Sequence, residues 1–263
     1  MNEKTTVLDL FSGIGGFSLG LESVGSFRTV GFCESDAYCR AILGRHWPGV
    51  RIQEDIRSFD TDGYRGCVDV ITGGYPCQPF SYAGDRFGAS DDRHLWPSMC
   101  GIVDSVRPRW VLCENVFGHI EMGLDDVLSD LEGIGYTVAT FVLPACGVDA
   151  PHKRDRVYIL ANADLDEQAS GGSGEVSSEG FAERLSEFDE VQRSRGPGEV
   201  WPGGGIDARR WPSEPGVARV VDGVPRRVDR NRVIGSAVVP QIVSMFGDLI
   251  LSAEKEKEDG GSF

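Results

Sequence analysis

Two short stretches set reactive side chains where strands should end. Gly73-Gly74-Tyr75-Pro76-Cys77-Gln78-Pro79-Phe80-Ser81 follows an apolar run of strand length, and Cys113-Glu114-Asn115-Val116 follows another. A cysteine just past the carboxyl end of a buried strand, flanked by prolines, sits in a shaped, rigid loop. Such a loop can hold a thiolate toward a ligand, so Cys77 is a candidate nucleophile. The alternative is a small buried hydrophobe, which suits the other cysteines better. Glu114 comes after four apolar residues, where a carboxyl is expensive unless paired or functional. A strand-end acid capping the next helix is its plainer reading. Together, a thiol and a carboxyl on adjacent strand ends suit one reaction. The thiolate attacks an electron-poor ring carbon, and the carboxylic acid protonates or hydrogen-bonds the ring nitrogen that takes up the charge.

A second constellation lies near the N-terminus. Asp9-Leu10-Phe11-Ser12-Gly13-Ile14-Gly15-Gly16-Phe17 ends a strand and opens a helix. Glycines there let a ligand approach the backbone, and a helix N-terminus favours anionic groups. Glu34 follows Gly13 by 21 residues, at the end of the second strand, where an acid can accept hydrogen bonds from ribose hydroxyls. The dinucleotide pattern G-x-G-x-x-G fails, because Ser18 stands where its third glycine belongs. A tight turn with no ligand remains open at this point. Asp55, in Glu54-Asp55-Ile56, would end a third strand and could accept from an adenine amino group, or be a solvated loop acid.

These groups need a scaffold that gathers strand ends. Residues 5–10, 29–34, 68–73, 110–113, 136–143 and 156–161 read as strands. Residues 17 to about 24, 37–46 and 125–134 read as helices, the last with Leu124, Val127, Leu128, Leu131 and Ile134 on one face. Such alternation implies a doubly wound, mostly parallel α/β sheet, with ligands at the carboxyl ends of its strands. Residues 162–200 are rich in Gly, Ser and Glu and read as a linker or surface loop. Residues 233–251 regain an apolar, helical pattern, and the polar tail after Ser252 should fray.

Composition bounds the rest. A chain of 263 residues suffices for one sizeable core. No apolar run is long enough to span a membrane, and the N-terminal residues do not resemble a signal peptide. Seven cysteines without a C-x-x-C pair argue against a disulfide framework or a zinc site, so most should be buried and reduced. The net charge of −15 is awkward for a nucleic-acid protein, but it is unevenly spread. Residues 164–200 hold ten acids and three arginines, whereas 201–240 hold seven arginines and four acids. Only four lysines stand against 22 arginines, a balance that suggests a host with high internal salt.

Read together, the motifs resemble the cytosine-5 DNA methyltransferase family over roughly residues 5–160 and 209–251. DLFSGIGGF resembles its cofactor motif, GGYPCQPFS its nucleophile motif and ENV its third. His152-Lys153-Arg154-Asp155-Arg156 resembles its arginine motif, and Gly235-Ser236-Ala237-Val238-Val239-Pro240 its last cofactor motif. The resemblance implies a class I S-adenosylmethionine-dependent methyltransferase fold, Rossmann-like, with a small, partly irregular target-recognition segment. It implies a catalytic and cofactor-binding domain over 1–161, a linker and reduced recognition segment over 162–230, a returning helix over 231–252 and a tail over 253–263. Cys77 would attack carbon 6 of a cytosine flipped from duplex DNA. Glu114 would contact ring N3 and the exocyclic amine, and Arg154 and Arg156 would hold the base carbonyl and a nearby phosphate. S-adenosylmethionine, leaving as S-adenosylhomocysteine, would lie among Phe11, Gly13, Gly15, Glu34, Asp55, Ile56, Pro76, Leu95, Ser236 and Val238. Gln78, Ser81 and Asn115 would touch the substrate. Residues 78–91 would close on DNA. Arg209, Arg210, Arg226 and Arg227 would reach phosphates or guanines, or simply solvate a loop. No metal is expected. The expected setting is a monomer in the cytoplasm of a bacterial, archaeal or viral system, with room for a cognate restriction endonuclease.

Two departures stand out. Ser236 occupies the place of the family's usual Asn, a shorter hydrogen-bonding group that should weaken cofactor affinity. The arginine motif begins His152-Lys153 instead of with the usual Gln. Other readings compete. The family's tRNA-directed branch usually carries a Cys-Phe-Thr stretch soon after ENV, where this chain has Phe117-Gly118-His119. A relic that binds DNA or cofactor without catalysis is opposed by the intact Cys77, Glu114, Arg154 and Arg156. A nicotinamide dehydrogenase would explain only the glycine turn.

Overall fold

Residues 4–76, 95–148, 150, 153–163 and 237–260 are described by a computed structural model of the chain. The strands are β1 (Thr5–Leu10), β2 (Phe27–Cys33), β3 (Arg51–Gln53), β4 (Val70–Gly73), β5 (Trp110–Val116), β6 (Tyr136–Pro144) and β7 (Asp155–Ala163). The helices among the described residues are α1 (Gly16–Ser23), α2 (Ala37–His46), α3 (Trp96–Val106), α4 (Leu124–Gly133) and α5 (Pro240–Gly260). The strands form one sheet in the order β3-β2-β1-β4-β5-β7-β6. From β1 the chain builds outward to β2 and β3 on one side, then crosses to β4 and β5 on the other. The switch point of the order therefore lies between β1 and β4, where an open α/β sheet leaves a crevice at its carboxyl edge.

Both faces of the central strands are covered, which is why they read as continuous apolar runs. On one face Val7, Val70, Leu112 and Leu160 pack with Phe17 and Leu21 of α1 and with Val243 and Phe246 of α5. On the other, Leu8, Ile71, Val111 and Ile159 pack with Val103 of α3 and Leu131 of α4. The α1–α5 contact depends on glycine. A Cβ at Gly20 would lie 2.5 Å from the Pro240 carbonyl oxygen and 2.6 Å from Val243 Cβ, so only hydrogen fits there. Farther along α5, Glu254 accepts from Trp110 Nε1 at 2.8 Å and pairs with Arg109, fastening the helix to the start of β5.

The sheet is mostly parallel as expected: the pairings from β3 to β5 are parallel, and β7 runs antiparallel to both β5 and β6. Three other points depart from the sequence reading. Helix α3 goes unread in the sequence although Met99, Ile102, Val103 and Val106 keep helical spacing; Pro97 sits in its first turn, a position proline tolerates. Helix α5 continues past Ser252 to Gly260, held by Ala253 and Glu254 against the domain. Finally, Cys67 and Cys146 are exposed, while Cys33, Cys39 and Cys113 are buried as expected. Residues 164–236, including most of the segment expected to recognise the target, lie outside the described residues. No described helix is long and apolar enough to cross a membrane.

Candidate active site

The carboxyl ends of β1, β2, β4 and β5 open on one cavity of about 310 Å³. Its floor is the turn after β1. Phe11 adopts φ 51°, Gly13 φ 54° and Gly15 φ 85°, all left-handed. For phenylalanine that conformation is costly and persists only where the surroundings impose it. Ser12 supplies the constraint: its N–H donates to the Cys33 carbonyl at 3.1 Å and its hydroxyl to the Asp9 carbonyl. Nothing lies within 4 Å of where a Cβ of Gly13 would stand, so the turn presents bare backbone to open space.

Glu34 ties this turn to the end of β2. One carboxylate oxygen accepts from Gly13 N–H and the other from Asp36 N–H, each at 2.7 Å. Asp36 in turn caps α2, accepting from the N–H groups of Tyr38 and Cys39. Asp55 is not a strand terminus, as β3 stops at Gln53. Its carboxylate caps the short turn Ile56–Ser58 by accepting from Arg57 N–H. Phe11, Gly13, Glu34, Asp55, Ile56, Pro76, Leu95 and Val238 all line the cavity. Gly15 does not. It precedes α1 and faces Trp47, whose ring would lie 2.6 Å from an added Cβ. Gly16 lines the wall instead, with Val238 packed so closely that a Cβ would meet Val238 Cγ1 at 2.7 Å.

Beneath the turn, Asp9 has no exposed surface. Its carboxyl accepts from Ser18 at 2.8 Å and Thr72 at 2.9 Å. Ser18 thus occupies the motif's third-glycine place in order to bond an acid. Burial pushes Asp9 up to about 7, against the lowering effect of those two hydroxyls.

Glu114 stands one layer above Asp9, inside β5 rather than after it, because that strand continues to Val116. Its carboxyl lies beside Gly74 at the foot of the cysteine loop, where an added Cβ would be 3.5 Å from Oε2. Across the antiparallel pair with β7, Arg156 Nε lies 2.9 Å from Glu114 Oε1. Burial raises the Glu114 pKa, with Arg156 and then Arg154 opposing that shift. Arg154, at φ 40°, donates to the Ala237 carbonyl at 2.7 Å and so links the arginine motif to the chain entering α5. Asn115 turns the other way. Its amide donates to the Tyr75 carbonyl at 3.1 Å and it is buried, so it holds the loop stem instead of facing the cavity. Cys77, Gln78, Ser81, Arg209, Arg210, Arg226, Arg227 and Ser236 lie outside the described residues.

A family model described as C-5 cytosine-specific DNA methylase matches residues 5–194, most of the chain. The chain belongs to this family. Among similar proteins, the Type II methyltransferase M.PspPI of a Psychrobacter species is 38% identical over 162 residues, covering 59% of this chain and 39% of the relative. M.Eco47II of Escherichia coli is 36% identical over 167 residues, covering 61% and 40%. The chain therefore spans about 40% of the length of these curated relatives. The fold is that of the Dnmt2 methyltransferase of S. pombe, with a TM-score of 0.54 at 22% identity over 66% of this chain and 59% of that one. A Spodoptera frugiperda DNMT2 variant superposes equally well, with a TM-score of 0.54 over 65% and 54%.

Within this family member the structure gives roles to residues that the motif reading left without one. Asp9 and Thr72 brace the glycine turn from below, and a buried acid in a β-rich run was the available sign. Tyr75 and His119 meet through a 2.8 Å hydrogen bond between the hydroxyl and Nε2. The sequence showed His119 only as part of a departure from the tRNA branch. No group of metal-binding side chains occurs among the described residues.

Proposed function

We propose that the chain is a DNA (cytosine-5)-methyltransferase that moves a methyl group from S-adenosylmethionine to carbon 5 of a flipped cytosine through a covalent adduct with Cys77. The observation that carries the reading is the placement of Glu114. A buried carboxyl, paired with Arg156, sits beside the stem of the cysteine loop and on the wall of the glycine-turn cavity.

The cavity suits the cofactor by the chemistry of its donors. Glu34 and Asp55 offer carboxylate acceptors for ribose and adenine, Phe11, Ile56, Leu95 and Val238 offer apolar surface, and the bare backbone at Gly13 allows close approach. The bound cofactor would supply an electrophilic methyl group. The remaining work falls to side chains. Cys77 as thiolate forms a bond to carbon 6 of the base, and the ring electrons move toward N3 and make carbon 5 nucleophilic. Glu114, biased toward its protonated form by burial, donates to N3 and stabilises that charge. Arg156 orients the Glu114 carboxyl, and the forked guanidinium of Arg154 suits the base carbonyl or a phosphate. Once carbon 5 carries the methyl group, its proton passes to solvent, the carbon 6–sulfur bond breaks to return Cys77 as thiolate, and N3 gives its proton back to Glu114, leaving 5-methylcytosine.

The test is to incubate the full chain with labelled S-adenosylmethionine and either unmethylated duplex DNA or tRNA at several salt concentrations, beside a Cys77→Ala control. Label in 5-methylcytosine of DNA, lost in Cys77→Ala, supports the reading. Label in tRNA alone moves the substrate to RNA. Cofactor binding without transfer to either polymer leaves a binding protein and overturns the reading.

A further inference from the structure

Gly73 closes β4, held between β1 and β5, but beyond it Gly74 leaves the stem of the cysteine loop many backbone conformations. Tyr75 supplies the missing constraint from three directions. Its hydroxyl is hydrogen-bonded to His119 Nε2 at 2.8 Å. Its ring packs against Trp96 of α3 with centroids 4.9 Å apart, and Trp96 Nε1 is itself held by Asp130 of α4 at 2.8 Å. Its carbonyl accepts from Asn115 of β5. Tyr75 is 3% exposed and His119 5%, so neither polar end is at the surface.

An apolar pair would fill the same space without the risk of an unmet hydrogen bond. The polar pair adds direction, because the bond is satisfied in only one arrangement of the two side chains. Burial also lowers the pKa of His119, so the ring stays neutral and keeps a nitrogen that can accept. This bond ends two residues before Cys77 and five residues after Glu114, the two groups whose separation must be fixed for attack and charge relief to coincide.

We propose that Tyr75 and His119 are a positioning pair that fixes the stem of the Cys77 loop against the strand bearing Glu114, so that they serve the chemical step and not cofactor capture. The proposal rests on the reading of Cys77 as the nucleophile. Displacing a reacting group by about 1 Å costs on the order of a hundredfold in rate, so a partly released stem should cost somewhat less.

The test compares Tyr75→Phe, His119→Leu, their double variant and His119→Gln in the full chain. Each of the first two should lower kcat about tenfold, leave KM for S-adenosylmethionine within about twofold, and speed amide exchange across residues 73–78 but not in α1 or α5. The double variant should be no worse than either single variant, and His119→Gln, which retains a hydrogen-bonding group, should recover most of kcat. Unchanged kcat, additive losses, or a fall in kcat that tracks a lower melting temperature with no rescue by glutamine overturns the proposal. If the wild-type chain makes no 5-methylcytosine, the functional reading itself fails and the role in catalysis falls with it. Exchange across 73–78 then still decides whether the pair holds the stem, and equal exchange in all variants removes that as well.

Discussion

Glu114 and Arg156 meet diagonally across the antiparallel pairing of β5 with β7, where Glu114 lies opposite Tyr158 and Arg156 opposite Val116, with Nε 2.9 Å from Oε1. The antiparallel return of β7 brings the arginine motif back beside the acid. Were β7 parallel, its first residues would lie at the opposite edge of the sheet. The pair sets two opposing influences on one carboxyl: burial favours the proton, and the guanidinium favours its loss.

Removing Arg156 should therefore shift activity along the pH axis. In Arg156→Gln the Glu114 pKa rises further, so the protonated form persists to higher pH. The alkaline limb of kcat should move upward in pH, while the maximal rate falls about a hundredfold because the carboxyl loses its orientation. A pH–rate profile over the neutral and alkaline range checks this, and an unmoved limb contradicts it.

Asp9 predicts a stability effect of opposite sign to that of most surface acids. Its folded pKa of about 7 stands above the ordinary 3.8. Stability present below the lower value is lost as pH rises through the higher one, and is flat beyond it. A span of about three pH units corresponds to about 4 kcal/mol. Asp9→Asn retains a group that can accept from one hydroxyl and donate to the other, without a charge to bury. It should melt above the wild type at pH 8, with the gap closing toward pH 4. Thermal melts across that range would show a constant or negative gap if this account is wrong.

Glu34→Ala removes the acceptor for two backbone N–H groups as well as an acid facing the cavity. Stability should fall by about 1–2 kcal/mol. Affinity for S-adenosylmethionine should fall at least about tenfold, because the turn loosens and the acceptor is lost together. Calorimetric titration measures the second effect and thermal melts the first; loss of stability with full affinity would separate Glu34 from the cofactor.

The glycine notch between α1 and α5 gives a packing prediction. Gly20→Ala forces a methyl against Pro240 and Val243 and should cost about 1–3 kcal/mol. Gly16→Ala presses on Val238, a wall of the cavity, so it should also weaken cofactor binding. Equal affinity in Gly16→Ala and Gly20→Ala would show that Val238 does not transmit the strain.

Much of this arrangement was legible because the elements that bear chemistry also carry strong periodic or turn signals. The glycine turn, Glu34 at a strand end and Glu114 beside the Gly74 stem followed from strand ends gathering at one edge. Less legible was whatever depends on contacts between distant segments. Gly15 and Gly16 are chemically identical neighbours, and only the approach of Trp47 and Val238 decides which one faces the cavity. Asn115 reads as a substrate contact until the Tyr75 carbonyl is seen to occupy its amide. The direction of β7 was hidden because strand propensity carries no sign. The acids and lysines after Ser252 carry the signature of a solvated tail, whereas Glu254 is bound by Arg109 and Trp110 and keeps the chain helical there.

The cavity wall contributed by Ala237 and Val238 has a consequence for biogenesis. Translation delivers the glycine turn and strands first, and domains generally begin to fold in that order as they emerge. The turn, Glu34 and Glu114 can be in place on the ribosome while α1 still exposes the glycine face that α5 will cover. A nascent chain in that condition has an unroofed pocket and an uncovered apolar strip, which invites chaperone capture. Arrival of α5 closes both at once, so ligand affinity marks the maturation of the domain, and a ligand that binds only the closed form would draw late folding intermediates forward by mass action.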